Sequence, residues 1–184
     1  MRLLLTSLLL ALFSCMAAQQ QTALNLVEID TCANYFIVDA PLAAPFNATG
    51  TFLFLHQHRG AAIVTDDSDQ FGEITELNGT GRYEINRVAS VNGDTVFAQF
   101  KLRHDYLTSN NSTSITLATP VENPVGNLNP VIFDGNRGGI LLLGSDDPII
   151  VNGDLNAGNL GFAGGQESIR DSDCGFLTNA NDYF

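Results

Sequence analysis

The stretch Tyr83-Glu84-Ile85-Asn86-Arg87-Val88-Ala89-Ser90-Val91-Asn92-Gly93-Asp94-Thr95-Val96-Phe97-Ala98-Gln99-Phe100-Lys101-Leu102 decides the fold class. Two apolar-alternating runs flank Asn92-Gly93, the dipeptide favoured in a two-residue type I′ hairpin turn. A turn centred there pairs Val91 with Asp94, Ala89 with Val96, Ile85 with Phe100 and Tyr83 with Leu102. One face then collects Tyr83, Ile85, Ala89, Val91, Val96, Ala98, Phe100 and Leu102. The other pairs Ser90 with Thr95, Asn86 with Gln99 and Glu84 with Lys101, the last an opposite-charge pair contributing about 0.2–1 kcal/mol.

Outward from this hairpin the period stays near two. Further strands are expected at Leu24–Asp30, Asn34–Val38, Thr51–His58, Ala61–Thr65 and Ser114–Ala118, then at Val131–Phe133, Gly139–Leu143, Ile149–Asn152 and Leu160–Ala163. No twelve-residue stretch after residue 18 sustains an i, i+3, i+4 apolar face, so helices are not expected. Short strands with frequent turns predict an all-β chain, an antiparallel sandwich or small barrel of roughly eight to ten short strands. Thr51–Leu55, apolar on both faces, suits a strand covered on both sides.

Residues 123–165 hold ten of the 17 Gly together with seven Asn. Val131, Asp134, Asn136, Gly138, Ile140, Leu142 and Gly144 recur, 20 residues on, as Val151, Asp154, Asn156, Gly158, Leu160, Phe162 and Gly164. Two copies are fewer than a solenoid needs, so the repeat reads as two consecutive hairpins with Asp-x-Asn-x-Gly turns.

The N-terminus has the layout of a secretory signal peptide over residues 1–18: Arg2, an apolar run from Leu3 to Phe13, then the small residues Ala17 and Ala18. Leu12-Phe13-Ser14-Cys15 also has the outline of a lipidation box. The run is short for a transmembrane helix, which needs about 20 apolar residues. Residues 19–184 are then a single secreted, extracellular β domain. Cys32 and Cys174 would form a disulfide closing about 143 residues, a constraint of roughly 5 kcal/mol at most on the chain-entropy model. Export gives meaning to the sequons at Asn47, Asn78, Asn110 and Asn111, which should lie on exposed loops of a glycoprotein.

With 8 basic against 20 acidic residues the net charge is −12, and it becomes −13 once Arg2 is removed with the leader. This charge argues against nucleic acid and against anionic membrane surfaces, both of which recruit Lys and Arg. It leaves an extracellular protein or glycan ligand as the partner class. The acidic turns Asp66-Asp67-Ser68-Asp69, Asp146-Asp147 and Asp171-Ser172-Asp173, with the loops at Asp134, Asn136, Asp154 and Asn156, offer the oxygen ligands that calcium takes.

Catalytic signatures are sparse. The chain has no Gly-x-Ser-x-Gly, no P-loop and no His-Glu-x-x-His. His56 and His58, two apart on one strand, share a face with Phe52 and Phe54, and His104 follows the hairpin. Together they would supply a three-His metal site with an open position. Arg87 falls on the apolar face opposite Ala98. It requires a carboxylate partner, a place at the sheet rim, or a place in a barrel mouth holding an anionic or polar ligand. The expected function is a secreted, acidic binding, adhesive or structural module without catalytic activity. The alternative is a small barrel enzyme or ligand carrier using His56, His58 and His104 or Arg87.

Overall fold

The computed structural model describes residues 19–161 apart from 67 and 122. The leader, Cys174 and the strand expected at Leu160–Ala163, beyond its first two residues, lie outside them. Among the described residues the strands are β1 (Gln21–Asp30), β2 (Tyr35–Val38), β3 (Phe52–Gln57), β4 (Ala62–Ile63), β5 (Ile74–Glu76), β6 (Tyr83–Asn92), β7 (Thr95–Ala98) and β8 (Thr113–Ala118), with one 3₁₀ turn at Ser109–Asn111. Six of them close an antiparallel barrel in the order β1-β2-β7-β6-β3-β8, while β4 and β5 form a separate ribbon. The barrel satisfies the all-β expectation with fewer strands than foreseen.

Two long strands turn the corners of this barrel. β1 pairs with β8 through Gln21–Asn25, then crosses to β2, with a bulge between Leu26 and Glu28. β6 pairs with β3 through Tyr83–Arg87, then crosses to β7, with a bulge between Val88 and Ser90. A bulge adds one residue, bends the strand and reverses which side chains face inward.

The hairpin register also differs from the expected one, starting at the turn itself. The observed pairs are Asn92 with Thr95, Val91 with Val96, Ser90 with Phe97 and Val88 with Ala98. The turn therefore centres on Gly93-Asp94, with Gly93 at φ 66° in the first central position, the pattern of a type II′ turn. Tertiary bonds favour this choice: the Val38 and Leu42 N–H groups donate to the Asp94 and Gly93 carbonyls at 3.0 and 3.1 Å.

Side-chain direction changes at the bulge. Val88, Val96 and Ala98 are buried in the core, as are Glu84 and Asn86, whereas Tyr83, Ile85 and Phe100 are exposed. The expected apolar face is thus split between the interior and solvent. The Glu84–Lys101 pair does not form: Glu84 Oε2 accepts the Arg103 backbone N–H at 3.1 Å, and Lys101 is exposed.

The barrel interior is filled. Leu26, Phe36, Leu53, Leu55, Ile115 and Leu117 belong to one packed cluster and are 0–1% exposed. Burying such side chains stabilises by about 1.5–3 kcal/mol each. β3 is apolar on both faces because its outer side is also covered. Phe52 packs with Ala118 and Leu142, and Gly144 sits so close to the Phe52 ring that a Cβ there would meet it at 2.3 Å.

That outer cover is residues 119–161, which form an arm rather than the expected late strands. Leu142 is tied to the barrel by Gln21, whose side-chain amide donates to its carbonyl and accepts its N–H, both at 3.2 Å. Instead of consecutive hairpins, the arm makes parallel bridges, Val125 with Val151 and Leu128 with Leu155. Asn123 and Asn127 side chains accept the Ile150 and Asp154 N–H groups at 2.9 and 2.8 Å. The stacking offset is therefore 26–27 residues, not the 20 of the sequence repeat. The first copy closes as a tight loop, with Gly139 N–H donating to the Val131 carbonyl at 2.7 Å.

Candidate binding groove

Between β7 and the 3₁₀ turn, residues 99–107 run beside β6 with almost no backbone pairing to it, and side chains stitch them down. Asn86 donates to the Phe100 carbonyl at 2.8 Å and accepts its N–H at 2.9 Å, imitating a backbone ladder pair. Asn34 accepts the Leu102 N–H at 2.8 Å, and Gln57 accepts the Leu107 N–H at 3.1 Å. Leu102 and Tyr106 are buried in the core cluster. Because these side chains sit between the strap and β6, a groove of about 700 Å³ opens there.

The groove is lined by Tyr83, Ile85 and Phe100, which are 63%, 62% and 57% exposed. Lys101, Arg103 and His104 line it as well, and Glu84 and Asn86 lie buried beneath. Tyr83, Ile85 and Phe100 thus give the groove an exposed apolar wall beside its charged one. The sequence pattern did not reveal it, because Tyr83, Ile85 and Phe100 were read there as core; only the bulge at Ala89 and the strap turn them outward.

His56 and His58 project from the outer side of the β3 edge, half-buried in an aromatic row. Phe54 stacks on His56 with centroids 5.9 Å apart, and the Phe133 ring meets His58 edge-on at 5.9 Å. His104 packs elsewhere, against Tyr106 at 6.1 Å. The three histidines are not brought together. Among the described residues, no group of three His, Cys, Asp or Glu side chains is placed to hold a metal ion.

Burial, reinforced by the Arg59 and His56 charges, pushes the His58 imidazole down to about 4, and burial also lowers His56. A folded-state value below the unfolded 6.5 means the unfolded chain binds the proton first. The stabilisation is therefore present above pH 6.5 and is lost as pH falls towards 4. Discounted for the half-exposed ring, the loss is about 1–2 kcal/mol. Melting temperature should decline between pH 7 and 4.5, and His58→Gln should flatten that decline. Asp134 and Asp146, lowered from 3.8, lose their contributions only at more acid pH.

Arg87 finds the carboxylate that its position demanded. It lies on the outer face with its guanidinium 4.1 Å over the Phe52 ring and bonds Asp146 in bidentate fashion at 3.1 and 2.5 Å. It pins the arm to β6 through Asp146.

The loops offered for calcium are held by internal hydrogen bonds. Asp134 Oδ1 accepts the Asn136 and Arg137 N–H groups at 2.9 Å, and Asn136 Oδ1 accepts from Arg59 at 3.2 Å. Asp154 N–H is held by Asn127 and Asn156 Oδ1 accepts the Gly158 N–H at 2.9 Å. The Asp134 and Asn156 side-chain oxygens shape turns, and Asp134 Oδ2 also meets the Arg137 guanidinium at 3.4 Å. Cys32 is exposed in the β1–β2 turn, and its expected partner Cys174 lies outside the described residues. Asn47, Asn78, Asn110 and Asn111 are all exposed on loops or turns.

No family model matches the chain, and no curated protein matches it. Among solved structures it is similar to the Gp54 tailspike of Acinetobacter baumannii bacteriophage AP22, solved in complex with A. baumannii capsular saccharide. That likeness has 21% identity and a TM-score of 0.36 over 65% of this chain and 18% of that chain. The chain thus spans less than a fifth of the tailspike's length. No helix among the described residues is long and apolar enough to cross a membrane.

Proposed function

We propose that this protein is a secreted, acidic, extracellular binding module without catalytic activity, and that its ligand seats in the outer groove between β6 and the 99–107 strap. The carrying observation is the exposure of Tyr83, Ile85 and Phe100 along one concave surface of a barrel whose interior is already filled. A ligand carrier of the lipocalin type needs an open interior, and here Phe36, Leu53 and Leu55 occupy it. Glycoside hydrolysis needs two carboxyl groups across the scissile bond. Among the described residues Glu84 is the single carboxylate lining the groove, and one of its oxygens is held by the Arg103 backbone N–H. The leader-like residues 1–18 and the exposure of all four sequon asparagines support export.

Flat rings presented to solvent suit a glycan, whose sugar faces are apolar while their edges are polar. The test is retention of the protein on immobilised polygalacturonate, alginate, xylan, chitin and dextran. Tyr83→Ala combined with Phe100→Ala should weaken retention on the bound polymer roughly tenfold, about 1–2 kcal/mol for two aromatic anchors. Both side chains are exposed, so the fold should survive. Unchanged retention in the double variant would dismiss the groove.

A further inference from the structure

We propose that the groove is selective for an acidic polysaccharide, a polymer of uronate-type sugars carrying one carboxylate per ring; this rests on the groove being the binding site. The argument comes from how a strongly acidic chain distributes its few cations. Six basic side chains lie among the described residues: Arg59, Arg82, Arg87, Lys101, Arg103 and Arg137.

Three of these are structural ties to or within the arm. Arg87 is paired with Asp146, and Arg137 with Asp39 at 2.8 Å and Asp134 at 3.4 Å. Arg59 reaches across to the 135–136 loop, donating to the Asn136 side chain and the Gly135 carbonyl.

The other three, Arg82, Lys101 and Arg103, have no ion-pair partner among the described residues, and two of them stand together. Lys101 and Arg103 line the groove. Arg82 immediately precedes Tyr83, and its guanidinium donates to the neutral Asp105 carbonyl at 3.4 Å. His104 adds a further donor on the same wall. Glu84, which lines the groove with Lys101 and Arg103, directs one carboxylate oxygen to the Arg103 N–H and the other to Asn86.

A net charge of −12 would ordinarily pair or scatter its cations. Holding Lys101 and Arg103, without ion-pair partners among the described residues, beside exposed aromatic side chains creates a locally positive groove on a negative body. Charge complementarity then acts in both directions: the groove attracts an anion, and the rest of the surface repels it from every other face. Rings that stack on sugar faces stand beside guanidinium forks that match carboxylates, so both halves of a uronate residue are addressed at once. A peptide of acidic residues would satisfy the cations but leave the exposed Phe100 ring without a flat ligand surface to stack on. A neutral glucan would do the reverse.

The test compares the full chain with a Lys101→Glu, Arg103→Glu double variant by affinity electrophoresis in gels holding sodium polygalacturonate, dextran, dextran sulfate or poly-L-glutamate. Both side chains are exposed, and an unchanged melting temperature checks the fold. Polygalacturonate should retard the natural protein most. Charge reversal should weaken that retardation about tenfold, the sum of two lost attractions and two new repulsions at exposed sites. Added salt should weaken it progressively.

Stronger retardation by dextran, insensitive to the reversal, would overturn the acidic selectivity while leaving the groove as a glycan site. Equal or stronger retardation by poly-L-glutamate or dextran sulfate would overturn the uronate assignment. No retardation by any polymer, with Tyr83→Ala and Phe100→Ala also without effect on any retained surface, would remove the groove reading itself.

Discussion

Gln57→Leu should destabilise the protein by about 2–5 kcal/mol, although it replaces a fully buried polar side chain with an apolar one of similar size. Gln57 is 0% exposed at the end of β3. Its Nε2 donates to the Arg59 carbonyl at 3.0 Å and to the Asn78 carbonyl at 2.8 Å, and its Oε1 accepts the Leu107 N–H at 3.1 Å. One amide therefore joins the segment after β3, the turn before β6 and the strap. Leucine would gain apolar burial but strand three backbone groups, each costing about 1–3 kcal/mol when left without a partner. It cannot escape by moving, because Gly60 and Gly79 enclose it. A Cβ at Gly79 would already stand 3.0 Å from the Gln57 oxygen, and one at Gly60 3.1 Å from its nitrogen. Denaturant unfolding read by far-UV circular dichroism measures the loss. A change under 1 kcal/mol would mean that water or rearranged backbone satisfies the three groups.

Asn86→Asp should be nearly as damaging at pH 7, by about 2–4 kcal/mol, and its cost should depend on pH. The native amide uses both ends: Nδ2 donates to the Phe100 carbonyl at 2.8 Å and to Glu84 Oε1 at 3.4 Å, and Oδ1 accepts the Phe100 and Arg87 N–H groups at 2.9 and 2.8 Å. An ionised carboxylate keeps the two accepted bonds. It loses both donors and puts a second negative charge against Glu84 in a site 2% exposed. The introduced group then holds its proton more tightly in the folded than in the unfolded protein. A carboxyl with a raised folded-state value loses stability as pH rises, so the deficit should shrink from pH 7 to pH 5. Wild-type stability moves the other way over that range because of His58, so the two curves should converge on acidification. The same substitution should loosen Phe100 and reduce retention of the glycan. A variant whose deficit is constant across that pH range would show that the carboxylate escapes to solvent.

Both predictions concern buried amides whose importance was not visible in the sequence. Asn86 read as a solvent-facing partner of Gln99, and Gln57 as an unremarked residue between two histidines. The pattern gave strand periodicity correctly, since β1, β2, β3, β6, β7 and β8 all fall where apolar alternation placed them. It gave β3 its double cover as well, because Phe52-Leu53-Phe54-Leu55 has no polar face to offer water. β5 escaped notice because Ile74–Glu76 is exposed throughout and carries no burial signal.

The candidate site was less legible for a specific reason. A single bulged residue at Ala89 reverses the facing of everything beyond it, and period-two reading has no means of detecting an insertion in one strand. The three-His reading failed through placement: His56 and His58 share a strand face as spacing required, but His104 belongs to the strap and packs on Tyr106. Arg87 was legible by need, since an arginine among apolar neighbours demands a carboxylate, but its partner Asp146 is 59 residues away.

The sequence by itself determined an all-β chain, the positions of the barrel strands and an acidic body with few cations, because these follow from side-chain chemistry and local periodicity. Only the tertiary structure decided that β1 and β6 bend across two sheets, that the arm stacks at a 26–27-residue offset, and that Tyr83, Ile85 and Phe100 face outward beside Lys101 and Arg103. Those outcomes depend on which buried polar groups find partners across long sequence separations. A one-residue bulge costs little locally but is favoured when it lets Val88 and Val91 both turn toward the core while Asn86 and Glu84 hold the strap.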